Sequence, residues 1–280
     1  MGDTTRIREA DWVIAWDDQA ERQIFLRQAD VVFSGDSLTH VGAGHDGDAD
    51  VEIDGGGLML MPGLVDIHSH PGDEPKSKGL FEETGSPLFH NTGLIEYMPL
   101  VRGDPETCNA GLEFALCELL KSGCTTICDL SGAREGWLDI LAVSGIRAYA
   151  APMFRSARWY TPNGHELCYE WTEDGGRQAF DEALAVVNAA EAHPCGRLKG
   201  MISPSQVDTC TPELLKRSAA AARGVAANLS GVQLQGSDLV GSVEGALEDA
   251  GIGAALLELE ILPIRFTHTP TRDRLCAHNG

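Results

Sequence analysis

Apolar and polar residues recur at two different periods along this chain, and the change falls near Met61. Between residues 11 and 58 the apolar residues come in short runs, DWVIAW, QIFLRQADVVFSG, LTHVGAG and VEIDGGGLMLMPG, separated by Asp-Asp, Gly-Asp and Gly-Gly-Gly. Short β-rich runs between turn residues predict a small antiparallel sheet unit over residues 1–60. Beyond it the period lengthens. GLVDIH predicts a buried strand, and Asp104-Pro105 an N-cap with proline at the first helical position. Leu112, Leu116, Leu119 and Leu120 then keep one helical face apolar until Gly123. CTTICDL (124–130) predicts a strand, EGWLDILAVSG a helix and IRAYAAPMF (146–154) a further strand. Phe180, Leu184 and Val187 mark an amphipathic helix, RLKGMIS (197–203) a strand, and Thr211-Pro212-Glu213 the start of another helix.

Four β-α units in succession over residues 61–222 predict an α/β fold of parallel strands with helices outside, either a doubly wound sheet or a (β/α)8 barrel. Residues 223–280 have a different texture, rich in Gly, Ala, Leu and Val and closing on the basic RFTHTPTRDRLCAHNG; no regular element is assigned there. Two long connections, 71–104 and 155–175, each follow a strand. Connections longer than ~15 residues are usually functional, and ligands of α/β folds sit at the carboxyl ends of strands. Both connections therefore frame one rim.

That rim carries the clearest chemistry. In MPGLVDIHSH, His68 and His70 stand two apart at the end of the apolar run. Side chains at that spacing leave a strand on one face, with α-carbons about 6.6 Å apart. Their imidazoles can converge on one divalent ion, or they can simply hydrogen-bond at a strand end. Asp66 lies on the same face and could orient a ligand histidine.

Composition narrows the partners. The 280 residues carry 42 acidic and 21 basic side chains, a net charge of -21, which disfavours nucleic acid and anionic membranes. A small molecule or another protein is the expected partner, and homo-oligomers are compatible. The eight cysteines form no CxxC pair, and Cys124 and Cys128 share a strand face, which predicts buried free thiols. No apolar run approaches the ~20 residues of a membrane span, and MGDTTRIREADW lacks a signal-peptide core, so the expected location is the cytoplasm.

GGGLMLMPGLVDIHSH, preceded by a β-rich segment ending LTHVGAG, resembles the entry to the barrel of the amidohydrolase superfamily. ALCELLKSGCTTICDL (115–130) and SPSQVDTCTPELLKRSAAAA (203–222) are similar to the branch holding triazine chlorohydrolases and guanine and cytosine deaminases. The resemblance implies a partial (β/α)8 TIM-type barrel over 61–222, a β-sandwich segment over 1–60, and a divergent tail over 223–280. It also implies one divalent ion, Zn2+ or Fe2+, held by His68 and His70 together with later histidines and an aspartate. The implied reaction is hydrolytic deamination or dechlorination of a nitrogen heterocycle by metal-activated water. His268 in FTHTP could stand for a further ligand. Gln235 in VQLQ replaces an expected histidine, and Asp238 comes early for the late aspartate. A premature end or a frame change near residue 223 would account for these departures.

Other residues have two readings each. His90, in the first long connection, could touch substrate or pack beside Phe89. Trp159, in the second, could stack on a planar ring or anchor its loop. Gln206 in SPSQVD is a further substrate-contact candidate. Lys199 would bridge two metals in a binuclear cyclic amidase, but it falls early in its strand, which favours a mononuclear site. Two other functions stay open: that amidase, and an inactive truncated fragment whose uncovered strand edge would self-associate.

Overall fold

The computed structural model describes residues 3–78, 103–160, 162 and 168–221, together with the backbone of strands at 225–229 and 257–261. The chain divides into two compact units, Met1–Leu64 and Val65–Gly280.

The first unit contains β1 (Thr4–Ala10), β2 (Trp12–Asp17), β3 (Arg22–Leu26), β4 (Ala29–Ser34), β5 (Ser37–Gly42), β6 (Val51–Asp54) and β7 (Met59–Leu60). They form two sheets, in the orders β5-β4-β1-β6 and β3-β2-β7. Tight turns join the antiparallel pairs β2–β3 and β4–β5, as the turn residues predict, β1 pairs antiparallel with β4 across the intervening hairpin, and β6 and β7 return by longer routes and pair in parallel with β1 and β2. Strand β1 has no counterpart among the runs picked out above, because TTRIREA holds a single bulky apolar side chain. Polar contacts fix it instead. Asp30, 1% exposed, accepts from Arg6 Nη2 and the amides of Glu9 and His45 at 2.8 to 2.9 Å. Burial pushes the Asp30 carboxyl up, but these donors outweigh it and hold the group below the usual aspartate value. Ala10, Val13, Ala29 and Val31 make the small core.

The second unit is built on β8 (Leu64–Ser69), α1 (Glu74–Ser77), α2 (Pro105–Lys121), β9 (Cys124–Ser131), α3 (Trp137–Ser144) and β10 (Arg147–Phe154). It continues through β11 (Ala157–Tyr160), β12 (Cys168–Trp171), α4 (Arg177–Glu191), β13 (Leu198–Gly200), β14 (Ser203–Pro204), a 3-10 turn over Val207–Thr209, α5 (Pro212–Ala221), β15 (Val225–Leu229) and β16 (Leu257–Ile261). The principal sheet has the order β13-β10-β9-β8, with β14 also on β10. Chain order and spatial order coincide, with no switch point, which is barrel winding rather than double winding. The backbone of β15 lies alongside β14, and β16 pairs with β15 in parallel. The described strands form no closed barrel.

Helix starts and stops follow the sequence signals. Asp104 Oδ1 accepts from the Thr107 amide at 2.8 Å, Pro105 occupies the first turn, and Gly123, at φ +85°, ends the following turn. Leu112 and Leu116 are fully buried, but Leu120 is 38% exposed and lies off the apolar face. The helical side of the sheet packs Ile127, Ala148, Ala150 and Leu198 against Leu112, Leu116, Trp137 and Leu141, and its other side holds Cys128, Leu130 and Ala151. Two expectations change. The strand expected over 197–203 is broken at Met201–Ile202 into β13 and β14, although Met201 N–H still donates to Ala150 O at 3.0 Å. The connection 155–175, expected to be irregular, carries the β11–β12 hairpin.

Candidate metal centre

His68 and His70 lie at the carboxyl end of β8, beside β9. Ser69 between them donates its hydroxyl to Cys128 O at 2.9 Å, so the strand end is anchored while its two neighbours project together. His70 Nδ1 lies 2.5 Å from Leu130 O. A carbonyl only accepts, so Nδ1 carries the hydrogen, and in the neutral ring Nε2 presents its lone pair. That Nε2 is 3.2 Å from His68 Nε2, with the rings inclined at 74°. Two nitrogens each bound ~2.0 to 2.1 Å from a tetrahedral ion stand about 3.3 to 3.4 Å apart, so the pair fits two positions of such a site. Burial first, and the adjacent His70 second, hold His68 down at about 4, against a smaller opposing pull from Asp66. His68 is therefore neutral at pH 7, the form in which imidazole binds metals.

Asp66 contributes through the backbone. Its Oδ1 accepts the His68 amide at 3.1 Å and so holds the turn of chain that carries the ring. Trp159 is half-buried on the β11–β12 hairpin, and its Nε1 donates to Asp208 Oδ2 at 3.1 Å. Gln206 starts the 3-10 turn that carries Asp208, with its Oε1 accepting from Thr209 Oγ1 at 3.2 Å. Trp159 and Gln206 are thus gathered at one turn beyond the carboxyl ends of β10 and β14. His90 and His268 lie outside the described residues. Lys199 is exposed and pairs with Glu191 of α4 at 3.3 Å. Among the described residues no cluster of three or more His, Cys, Asp or Glu side chains is arranged to hold a metal.

Two acids join this picture that sequence reasoning did not single out. Asp129, wholly buried near the end of β9, accepts from Trp137 Nε1 at 2.7 Å and Ser131 Oγ at 2.5 Å. Burial raises its carboxyl above the usual range despite those donors. The signal was present as a lone acid inside CTTICDL. Asp208 also accepts from Tyr169 at 2.7 Å, and burial together with this carboxylate pushes the Tyr169 phenol up. Its partners are 39 and 49 residues away, beyond the reach of local pattern.

Over 206 residues the chain is 26% identical to a 5'-deoxyadenosine deaminase of Methanosarcina mazei, an alignment covering 73% of this chain and 44% of the relative. It therefore spans less than half the length of that protein. In structure it is similar to a triazine hydrolase from Arthrobacter aurescens, with a TM-score of 0.72 at 20% identity, over 92% of this chain and 60% of that one. It is also similar to an atrazine chlorohydrolase from the same species complexed with zinc, with a TM-score of 0.67 at 21% identity, over 91% and 60% of the two chains. These likenesses show the fold, a partial barrel of the TIM type. The family model described as "Amidohydrolase family" matches residues 59–238, which is more than half of the sequence and includes β8 and both histidines, and on that match the chain belongs to the amidohydrolase family.

Proposed function

We propose that this chain carries the metal-binding strand of a hydrolase that removes an amino or chloro substituent from a nitrogen heterocycle. The observation that carries the reading is the 3.2 Å approach of two Nε2 atoms, one of them held lone-pair outward by Leu130 O. When bound, a divalent ion supplies the Lewis acidity that makes water a nucleophile near neutral pH. Zinc is the preferred ion, since neutral imidazoles suit it and a similar structure is complexed with zinc, with Fe2+ the alternative. His68 and His70 hold the ion, and Asp66 and Leu130 O fix their orientation. His268 is proposed as a further residue that would hold the ion. A single ion is favoured, because Lys199 falls early in RLKGMIS and is paired with Glu191.

For the substrate, Trp159 and Gln206 offer a ring face and an amide near one turn, and His90 is proposed as a further contact. The relatives' names, a deoxyadenosine deaminase and a triazine hydrolase, point to planar, nitrogen-rich rings. A small neutral heterocycle also agrees with a chain of net charge -21. The test is metal analysis of the purified chain beside an ammonia- and chloride-release screen on purines, pyrimidines and triazines. Turnover that needs the metal and disappears in His70→Ala supports the reading. Tight metal binding without turnover on any ring would leave a metal-binding module and defeat the enzymatic part. A chain that neither binds metal nor turns over is the inactive fragment.

A further inference from the structure

Away from the histidine pair, a lysine, a cysteine and an aspartate meet where α1 packs on α2. Lys76 Nζ donates to Asp73 Oδ1 at 2.7 Å and to Cys108 Sγ at 3.0 Å, and the lysine side chain is only 11% exposed. The approach is set by backbone rather than by a wandering side chain. A Cβ on Gly111 of α2 would stand 2.9 Å from Gly72 O, and one on Gly103 would stand 3.1 Å from Lys76 Nζ. At Gly111 a side chain would meet backbone, so glycine lets the two segments close this far. Cys108 is half-buried rather than sealed in the core, unlike Cys124, Cys128 and Cys210. Small oxidants can therefore reach it.

We propose that Asp73, Lys76 and Cys108 form an oxidation-triggered cross-linking site that joins α1 to α2 through a sulfur–nitrogen bond. Peroxide oxidises the thiol to a sulfenic acid and is itself reduced to water. The Lys76 ammonium, held 2.7 Å from Asp73 Oδ1, releases a proton to solvent, and the freed amine attacks the sulfenic sulfur. The S–N bond forms as the S–O bond breaks, and hydroxide leaves as water with a proton from the nitrogen. The product is a sulfenamide that thiols reduce back to the free pair. Because Lys76 lies six residues beyond His70, the bond would fasten the segment that leaves the histidine strand onto α2.

The test is graded hydrogen peroxide treatment of the 280-residue protein, digestion without reductant and peptide mapping by mass spectrometry. The expected product joins the Lys76 and Cys108 peptides, is lighter than their sum by two hydrogens, and is released by dithiothreitol. In Lys76→Arg, which keeps the cation but removes the primary amine, the joined peptide is lost and Cys108 is trapped by dimedone. Accumulation of sulfenic or sulfinic Cys108 in the unmodified protein without the joined peptide overturns the proposal. So does a reduced Cys108 under doses that oxidise Cys117, the exposed thiol on the same helix.

Discussion

A buried acid and a buried thiol show how strongly single residues are committed in the second unit. Asp129 satisfies Trp137 Nε1, and Trp137 is itself 1% exposed. Asp129→Ala therefore leaves an indole N–H buried without a partner and should cost about 2 to 4 kcal/mol of unfolding free energy in a denaturant melt. Asp129→Asn, which retains an acceptor, should cost less. Cys210 makes the opposite case. Burial pushes its thiol up to about 11 in the folded chain. The unfolded chain releases that proton near the usual cysteine value, so the stabilisation is present below that value and is lost as pH rises through about 11. Thermal melts between pH 8 and 11 should fall over this window, and Cys210→Ser should flatten the fall. Native protein should leave Cys210 unlabelled by Ellman's reagent at pH 8.

At the level of elements, packing is tightest where α4 crosses the sheet. A Cβ on Gly200 would come within 2.5 Å of Val187 Cγ1 and 2.7 Å of Val187 O. Gly200→Ala must push α4 off β13 and should destabilise by roughly 1 to 3 kcal/mol, read as a lowered midpoint in urea. Much at this scale was legible in the chain. Buried parallel strands read as continuous apolar runs, so CTTICDL and IRAYAAPMF gave β9 and β10 within a residue at each end. Asp104 and Gly123 bracketed α2 because capping chemistry is local. What escaped was set by distant partners. Strand β1 is held by its ladder and by Asp30, and the β11–β12 hairpin by cross-strand pairing of two four-residue strands too short to show a period. The histidine pair was legible because strand spacing alone puts both rings on one side. The lone pair turned outward by Leu130 O, 60 residues on, was not.

For the whole molecule, family membership rests on the match over residues 59–238, and the fold on the likeness to the triazine hydrolase. The described sheet winds in chain order and has β8, which bears the histidines, at one edge. Among the described residues no helix is long and apolar enough to cross a membrane. The described residues supply two imidazoles in ligand geometry, so the central claim is that this strand end is a metal site. Its most direct test is equilibrium dialysis of the purified 280-residue chain against zinc, followed by elemental analysis, with the His68→Ala/His70→Ala double variant in parallel. One zinc per chain is expected for the natural sequence and at least a tenfold loss of affinity in the variant, on the scale by which even the outer partners of metal sites act. Equal zinc content in the two proteins would contradict that claim.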